Sequence, residues 1–315
     1  MRRRGRAGFA FGLAAYLVWG FVALYFDYLH RRGVTADLIL AYRISWCFVF
    51  LLLLASVLGQ WGEVVQCVRS WRSMRTLMLS TVLIAANWYA YIYAVSTHQL
   101  SQASLGYYMN PLVNVLLGVL VLGERLRRLQ VAAVAIAGAG VTFLTMSSGA
   151  LPWIAVTLAI TFGLYGLLRK TMSAGSVVGL LIETALCTPI TLAYIAWTHS
   201  SAGRDLPHYP LDVHAWLAIS GIVTATPLLL FAAAARRLQL STLGFMQYVS
   251  PTIQLLIAVL AFGEPFTPDR QITFAAIWLA VALFVFDQFR AARTRSERAS
   301  ADDRASTVLT PEEPV

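Results

Sequence analysis

Ten stretches of this chain are long and apolar enough to cross a bilayer: 8–29, 36–58, 74–95, 99–122, 129–147, 151–169, 176–198, 213–235, 239–262 and 270–289. A hydrocarbon core about 30 Å thick takes about 20 apolar residues of helix. With no water in that core, only helices and closed barrels satisfy their own backbone groups. The pattern therefore predicts an all-α polytopic membrane protein with ten transmembrane helices. Only 12% of the 315 residues are charged and 58% are hydrophobic, where a soluble domain carries about 25% charged residues. Connections as short as 95–99 and 147–151 predict antiparallel hairpins. The first stretch begins like a signal peptide, but its apolar run is about 18 residues and no small-residue cleavage site precedes Asp27. It reads as an uncleaved first helix.

The basic residues set the orientation. With the N-terminus inside, 19 of the 24 Lys and Arg residues fall on the cytoplasmic side. Four (Arg31, Arg32, Arg204 and Arg270) fall outside, and Arg43 lies within a helix. That bias follows the positive-inside rule and puts both termini in the cytoplasm. It also accounts for the net charge of +9 without a nucleic-acid partner. Cys47, Cys67 and Cys187 have no CxxC or Cys/His spacing, so neither a disulfide framework nor a metal site is indicated, and no cofactor is implied. Residues 291–315, rich in Ser, Pro and acids, read as a disordered cytoplasmic tail.

Shifting the chain by 140 residues lays LSQASLGYYMNPLVNVLLGVLVLGE (100–124) over LSTLGFMQYVSPTIQLLIAVLAFGE (240–264). Ser101 meets Ser241, Tyr108 meets Tyr248, Pro111 meets Pro251, and Gly123-Glu124 meets Gly263-Glu264. The same shift puts Arg43 over Glu183 and Asn87 over Pro227. The chain thus reads as a first five-helix repeat over 1–147 and a second over 148–290. Five is odd, so the second copy enters the membrane from the opposite face. Inverted repeats are a signature of secondary transporters, which bind substrate near the midplane where the repeats meet.

The motifs AAYLVWG (14–20), YRISW (42–46), ANW (86–88), GERLRRLQ (123–130), YGLLRK (165–170), LIET (181–184), GIVTATPLLLF (221–231) and LSTLGFMQYVSP (240–251) resemble the RarD branch of the EamA-type permeases. That family belongs to the drug/metabolite transporter superfamily, and the resemblance runs from about 8 to 290. It implies two EamA-type halves, a bacterial inner-membrane location and transport of a small molecule, usually export. The branch is associated with chloramphenicol sensitivity. Its superfamily relatives enclose an aromatic-lined central cavity.

Several residues stand where a substrate cavity would be. Arg43 lies about seven residues into its helix, a depth at which charges face a cavity or a partner. Glu183 is its mirror counterpart. The two read as a buried ion pair, as separate polar positions near opposite cavity entrances, or, for Arg43, as a snorkelling side chain. Trp19, Trp46, Trp88, Tyr107 and Tyr248 fall nearer mid-depth than the interfacial belt, lining a cavity or packing between helices. Asn87 bonds a neighbouring helix or touches substrate. In YYMNPLVN, Asn110 and Asn114 share a helix face, and Ser250 and Gln254 stand in their places beside Pro251. Pro111, Pro251 and Pro227 are expected to bend their helices, either at the binding site or as tolerated kinks. Glu124 and Glu264 read as structural, the latter with Arg270 nearby. Gly118, Gly123, Gly138 and Gly140 read as points of close helix approach.

No GxxxxGK[ST] sequence is present, so a secondary transporter would draw on a gradient or on exchange, with Glu183 as the candidate proton carrier. A membrane enzyme would need a clustered nucleophile, base or metal set, which the sequence lacks. A scaffold or receptor leaves the mid-membrane polar residues without purpose. The implied partners are the lipid bilayer and a small-molecule substrate, with the chain acting as a monomer or homodimer.

Overall fold

The computed structural model describes residues 2–122, 126–172, 174–200, 209–235, 237 and 246–308. All regular elements among them are helical. In chain order these are α1 (Arg2–Arg31), α2 (Ala36–Val57), α3 (Trp61–Arg69), α4 (Trp71–Ser96), α5 (Leu100–Leu122), α6 (Arg128–Ser148), α7 (Trp153–Thr171), α8 (Ser176–Ser200) and α9 (Leu211–Ala235). Then come α10 (Val249–Leu256), which runs into a π-helical turn over Ile257–Ala261, and α11 (Pro268–Val308). Seven helices hold a span long and apolar enough to cross a membrane, and Trp153–Arg169 and Val249–Ala261 are shorter apolar helices.

Three features add to the sequence expectations. The connection read as a loop near 58–74 contains α3, and its Glu63 carboxylate accepts the Gly175 N–H ahead of α8. Residues 238–245, the start of the helix expected over 239–262, lie outside the described residues. Gln247 and Tyr248 form a turn and α10 starts at Val249, so the proline sits in the first helical turn. A missing N–H costs nothing there, because first-turn N–H groups have no intrahelical acceptor. Beyond 290, α11 continues through Val308, over Arg, Glu and Ala residues that are good helix formers, and 309–315 lie outside the described residues.

The packing interleaves the two ends of the chain. The main helix pairs are α6 with α11, α5 with α7, α1 with α9, α2 with α8, α2 with α9, α4 with α7, α1 with α10 and α5 with α10. Every one of these pairs joins a helix before residue 148 to one after it. Lipid tails are as apolar as leucine, so helices associate by close packing rather than by escape from water. Glycine supplies that closeness at two crossings. A Cβ on Gly221 of α9 would lie 2.5 Å from the Trp46 carbonyl of α2, and one on Gly106 of α5 would lie 2.7 Å from the Ala155 carbonyl of α7. Of the glycines singled out in sequence, Gly140 does lie close to a neighbour, 3.1 Å from Ala276 Cβ, whereas Gly138 faces open space. Gly123 and Glu124 lie outside the described residues.

Glu264 joins the π-helical turn to the start of α5. Its buried carboxylate accepts the Leu100 N–H, the Ser101 N–H at 3.0 Å and the Ser101 hydroxyl at 2.6 Å, with Arg270 Nη1 at 3.9 Å. A carboxylate at a helix N-terminus satisfies orphan N–H groups and complements the macrodipole. The structural role expected for Glu264 is therefore mainly a cap on another helix, with Arg270 as a secondary partner.

Gly221→Ala must push α2 and α9 apart, and should lower stability by about 1–3 kcal/mol, as overpacking does. Gly138→Ala should be neutral or stabilising. Thermal melting of the purified variants distinguishes them, and equal melting temperatures would refute the close-crossing assignment.

Candidate substrate site

Four helices converge on Arg43. It leaves α2 buried, 9% exposed, with Nε donating to Thr224 Oγ1 of α9 at 2.9 Å. Its guanidinium carbon lies 4.5 Å from the Trp88 ring centroid on α4 and 5.2 Å from that of Phe26 on α1. Thr224 spends its own proton on the Ser220 carbonyl one turn back, which leaves its oxygen free to accept. No carboxylate lies within 4 Å of Arg43 among the described residues. The direct Arg43–Glu183 pair, one of the readings open in the sequence, is not formed.

Glu183 has other partners. It is 1% exposed on α8, where it accepts the Ser80 hydroxyl of α4 at 2.6 Å and the Tyr165 hydroxyl of α7 at 3.2 Å. Arg169, one turn beyond Tyr165, places Nη1 at 3.8 Å. Gly179, one turn before Glu183, makes room for that guanidinium: a Cβ there would overlap Arg169 Nη1 at 1.6 Å. Trp88 connects the two charges, since its ring carries Arg43 and it also lines, with Glu183, Thr81 and Cys187, a cavity of about 10 Å³. That is close to the minimum that holds one water.

The YYMNPLVN stretch and its counterpart lie against each other on α5 and α10. Ser104 donates to the Pro251 carbonyl at 2.7 Å, and the Tyr108 and Thr252 hydroxyls share a hydrogen bond at 2.5 Å. Tyr248 stacks on Tyr108 with ring centroids 6.0 Å apart. Asn110 is buried with Oδ1 unpartnered, and Pro111 lies within a continuous α5. The side chain of Asn114 lies outside the described residues. Gln254 donates to the Trp19 carbonyl of α1 at 3.1 Å and to Ser250 Oγ at 3.3 Å, leaving Oε1 unpartnered. Trp19 packs with Tyr16 and Phe231, at 5.4 and 6.0 Å between ring centroids. Tyr107, half-buried, contacts Tyr91 and Phe162.

Other expected site residues sit elsewhere. Trp46 is 39% exposed and is not packed inside the bundle. Asn87, read in sequence as either a helix-to-helix bond or a substrate contact, directs its amide at α7: Nδ2 donates to the Leu158 carbonyl at 3.1 Å and to Thr161 Oγ1 at 3.0 Å. Pro227 is buried within α9. Sequence reasoning missed Thr224, Phe26, Ser80, Tyr165 and Arg169. The Tyr165/Arg169 spacing of one helical turn in YGLLRK was visible, but nothing local says which acid it faces. No group of three or more potential metal ligands occurs among the described residues.

Comparison with known proteins fits this architecture. Residues 6–146 match the EamA-like transporter family. The chain is 41% identical over 295 residues to Protein RarD of Escherichia coli K12, covering 94% of this chain and 99% of that protein. It is 41% identical over 286 residues to an uncharacterized transporter of Vibrio cholerae, covering 91% and 94%. A crystal structure of a protein 20% identical superposes with a TM-score of 0.55, covering 88% of this chain and 96% of the other, a likeness of fold.

Asn87→Leu removes two interhelical bonds, which should cost about 1–3 kcal/mol and lower the melting temperature. Ligand affinity of the surviving folded protein should be unchanged. A specific loss of affinity at unaltered stability would return Asn87 to the binding site.

Proposed function

Because the chain belongs to the RarD branch of the EamA-like transporters, we propose that it is a secondary transporter. In this reading it exports a small organic metabolite or drug across the bacterial inner membrane, by alternating access of two inverted five-helix halves. It is a multi-pass membrane protein of the permease type.

One observation supports the inverted-repeat reading above the rest. Pair each helix of the first half with its counterpart: α1 with α7, α2 with α8, α4 with α9, α5 with α10 and α6 with α11. Exchange the halves, and the main pairs between them map onto pairs that also occur. The contact of α5 with α7 becomes α10 with α1, α1 with α9 becomes α7 with α4, and α2 with α9 becomes α8 with α4, all of which occur. The pairs α2–α8, α5–α10 and α6–α11 map onto themselves. A duplication retained only for sequence reasons has no need of this closure.

The copies also differ in conformation. Leu100–Leu122 is one helix through Pro111, whereas the helix at Pro251 begins only at Val249. Packing of α2 on α9 is more extensive than its counterpart, α4 on α8. Two copies related by an axis in the membrane plane, held in different conformations, exchange access when they exchange conformations. The buried polar residues along this interface, among them Arg43, Asn110, Glu183 and Gln254, supply the site. Transport would be driven by a proton gradient or by exchange, with Glu183 as the proton-carrying candidate. A scaffold would derive no benefit from polar groups that are costly at such depth.

Purified protein in liposomes should show flux for one class among amphenicols, amino acids and aromatic metabolites, tested with and without a pH gradient. Absence of flux for every class, with folded protein, rejects the transporter. Trp19→Ala and Arg43→Ala should each reduce flux by about tenfold or more at undiminished expression, the scale of one lost charged or aromatic contact. If neither does, the cavity lies elsewhere.

A further inference from the structure

The two buried charges of the interior are treated differently by the protein. Glu183 has a cation at 3.8 Å and two hydroxyl donors, all from its own chain. Arg43 has a hydroxyl acceptor on Nε and two aromatic faces. Its two terminal nitrogens make no hydrogen bond and meet no carboxylate among the described residues. The other arginines drawn into ion pairs, Arg31, Arg32, Arg127, Arg169 and Arg270, each have an acid from the chain itself. A guanidinium held in a membrane interior without an anion is expensive. Its position is nonetheless over-determined by Thr224, Trp88 and Phe26 from three different helices, so it is not snorkelling to an interface.

A second group beside it is also left open. Tyr91 of α4 is 3% exposed, and its hydroxyl has no partner. Its ring lies 6.1 Å from Phe26, the same ring that carries Arg43, and 5.8 Å from Tyr107. A buried hydroxyl without a partner forfeits a hydrogen bond. Here the unused donor's ring and the unpaired cation pack on the same Phe26 ring, so the open chemistry of the place is that of an anion receptor with aromatic walls.

We propose that Arg43 is the anion-recognition point of the transport site, and that the substrate is a small organic molecule bearing a carboxylate and a flat apolar group. The carboxylate meets the terminal guanidinium nitrogens and the Tyr91 hydroxyl, while Trp88 and Tyr107 receive the apolar part. This rests on the transporter reading for its physiological meaning, but the binding chemistry stands separately. A planar guanidinium already placed on two rings is suited to a bidentate carboxylate. A lysine in its place would lose that geometry. Thr224 is a positioning residue, since it holds Nε and leaves the other two nitrogens for the ligand.

The test uses three probes of matched shape: 3-phenylpropanoate, 3-phenylpropanol and 3-phenylpropylammonium. Each is titrated into the purified full-length protein in a neutral detergent, with tryptophan fluorescence or calorimetry as readout. The propanoate should bind about tenfold or more tightly than the alcohol, the scale of one charge-assisted contact, and the ammonium weakest of all. Arg43→Gln should abolish that preference, and Arg43→Lys should retain part of it. Tyr91→Phe removes only an unpartnered hydroxyl, so it should fold normally and weaken the propanoate by about threefold without affecting the alcohol. Equal binding of propanoate and alcohol overturns the proposal, as does an undiminished preference in folded Arg43→Gln. If Arg43→Gln does not fold, Tyr91→Phe decides by the same criterion. Propanoate binding without flux in liposomes retains the anion site and rejects transport. Flux of the alcohol but not the propanoate retains transport and overturns the anion site.

Discussion

Hydrocarbon offers no hydrogen bond, and from this the rest of the structure follows. A polar atom placed inside this bundle can gain a hydrogen bond only from the protein, and the partners found on other helices are what tie the helices together. Asn87 holds α4 to α7, Ser45 and Thr191 join α2 to α8 at 2.9 Å, Gln254 joins α10 to α1, and Ser104 joins α5 to α10. Arg43 is the most demanding case. Its guanidinium draws α1, α2, α4 and α9 around one point. Because the apolar faces of membrane helices have little preference among neighbours, such polar ties, with the close contacts at Gly106 and Gly221, select one arrangement from many.

That arrangement is interleaved. Neither half forms a bundle that packs mainly on itself, because every helix of the first half except the short α3 finds its principal neighbours in the second. In the proposed transport cycle this interleaving has a use. A site built between two copies of one unit can be opened to either side by exchanging which copy adopts which shape. The differing conformations around Pro111 and Pro251 are the local form of that asymmetry. Proline is accommodated in mid-helix in one copy and in a first helical turn in the other, and the turn at Gln247–Tyr248 makes the difference.

Much of this was legible in the sequence, for identifiable reasons. Helix positions follow from runs of apolar residues, a signal that needs no knowledge of neighbours. Segments such as 36–58 and 74–95 accordingly fall within a few residues of α2 and α4. The short α3 was not legible, because nine amphipathic residues between membrane segments resemble any polar connection. The roles of single polar residues were legible only as alternatives. Asn87 was a helix tie or a ligand, and its helix neighbour α7 settles the geometry. Arg43 and Glu183, matched by the 140-residue shift, were open to reading as a pair or as separate polar positions, and each is engaged by different helices.

The sequence by itself determined that this is a helical membrane protein, that its basic residues cluster between apolar segments, and that residues 100–124 and 240–264 share a pattern. Those properties depend on composition and spacing along one chain. Only the tertiary structure decided which helices touch, that Glu264 caps α5, that Glu183 has its own cation, and that Arg43 meets no carboxylate among the described residues. Contacts between residues more than 100 positions apart leave no local trace, since a helix surface accepts many partners and the choice among them is made by fit and by the few polar atoms that lipid cannot satisfy.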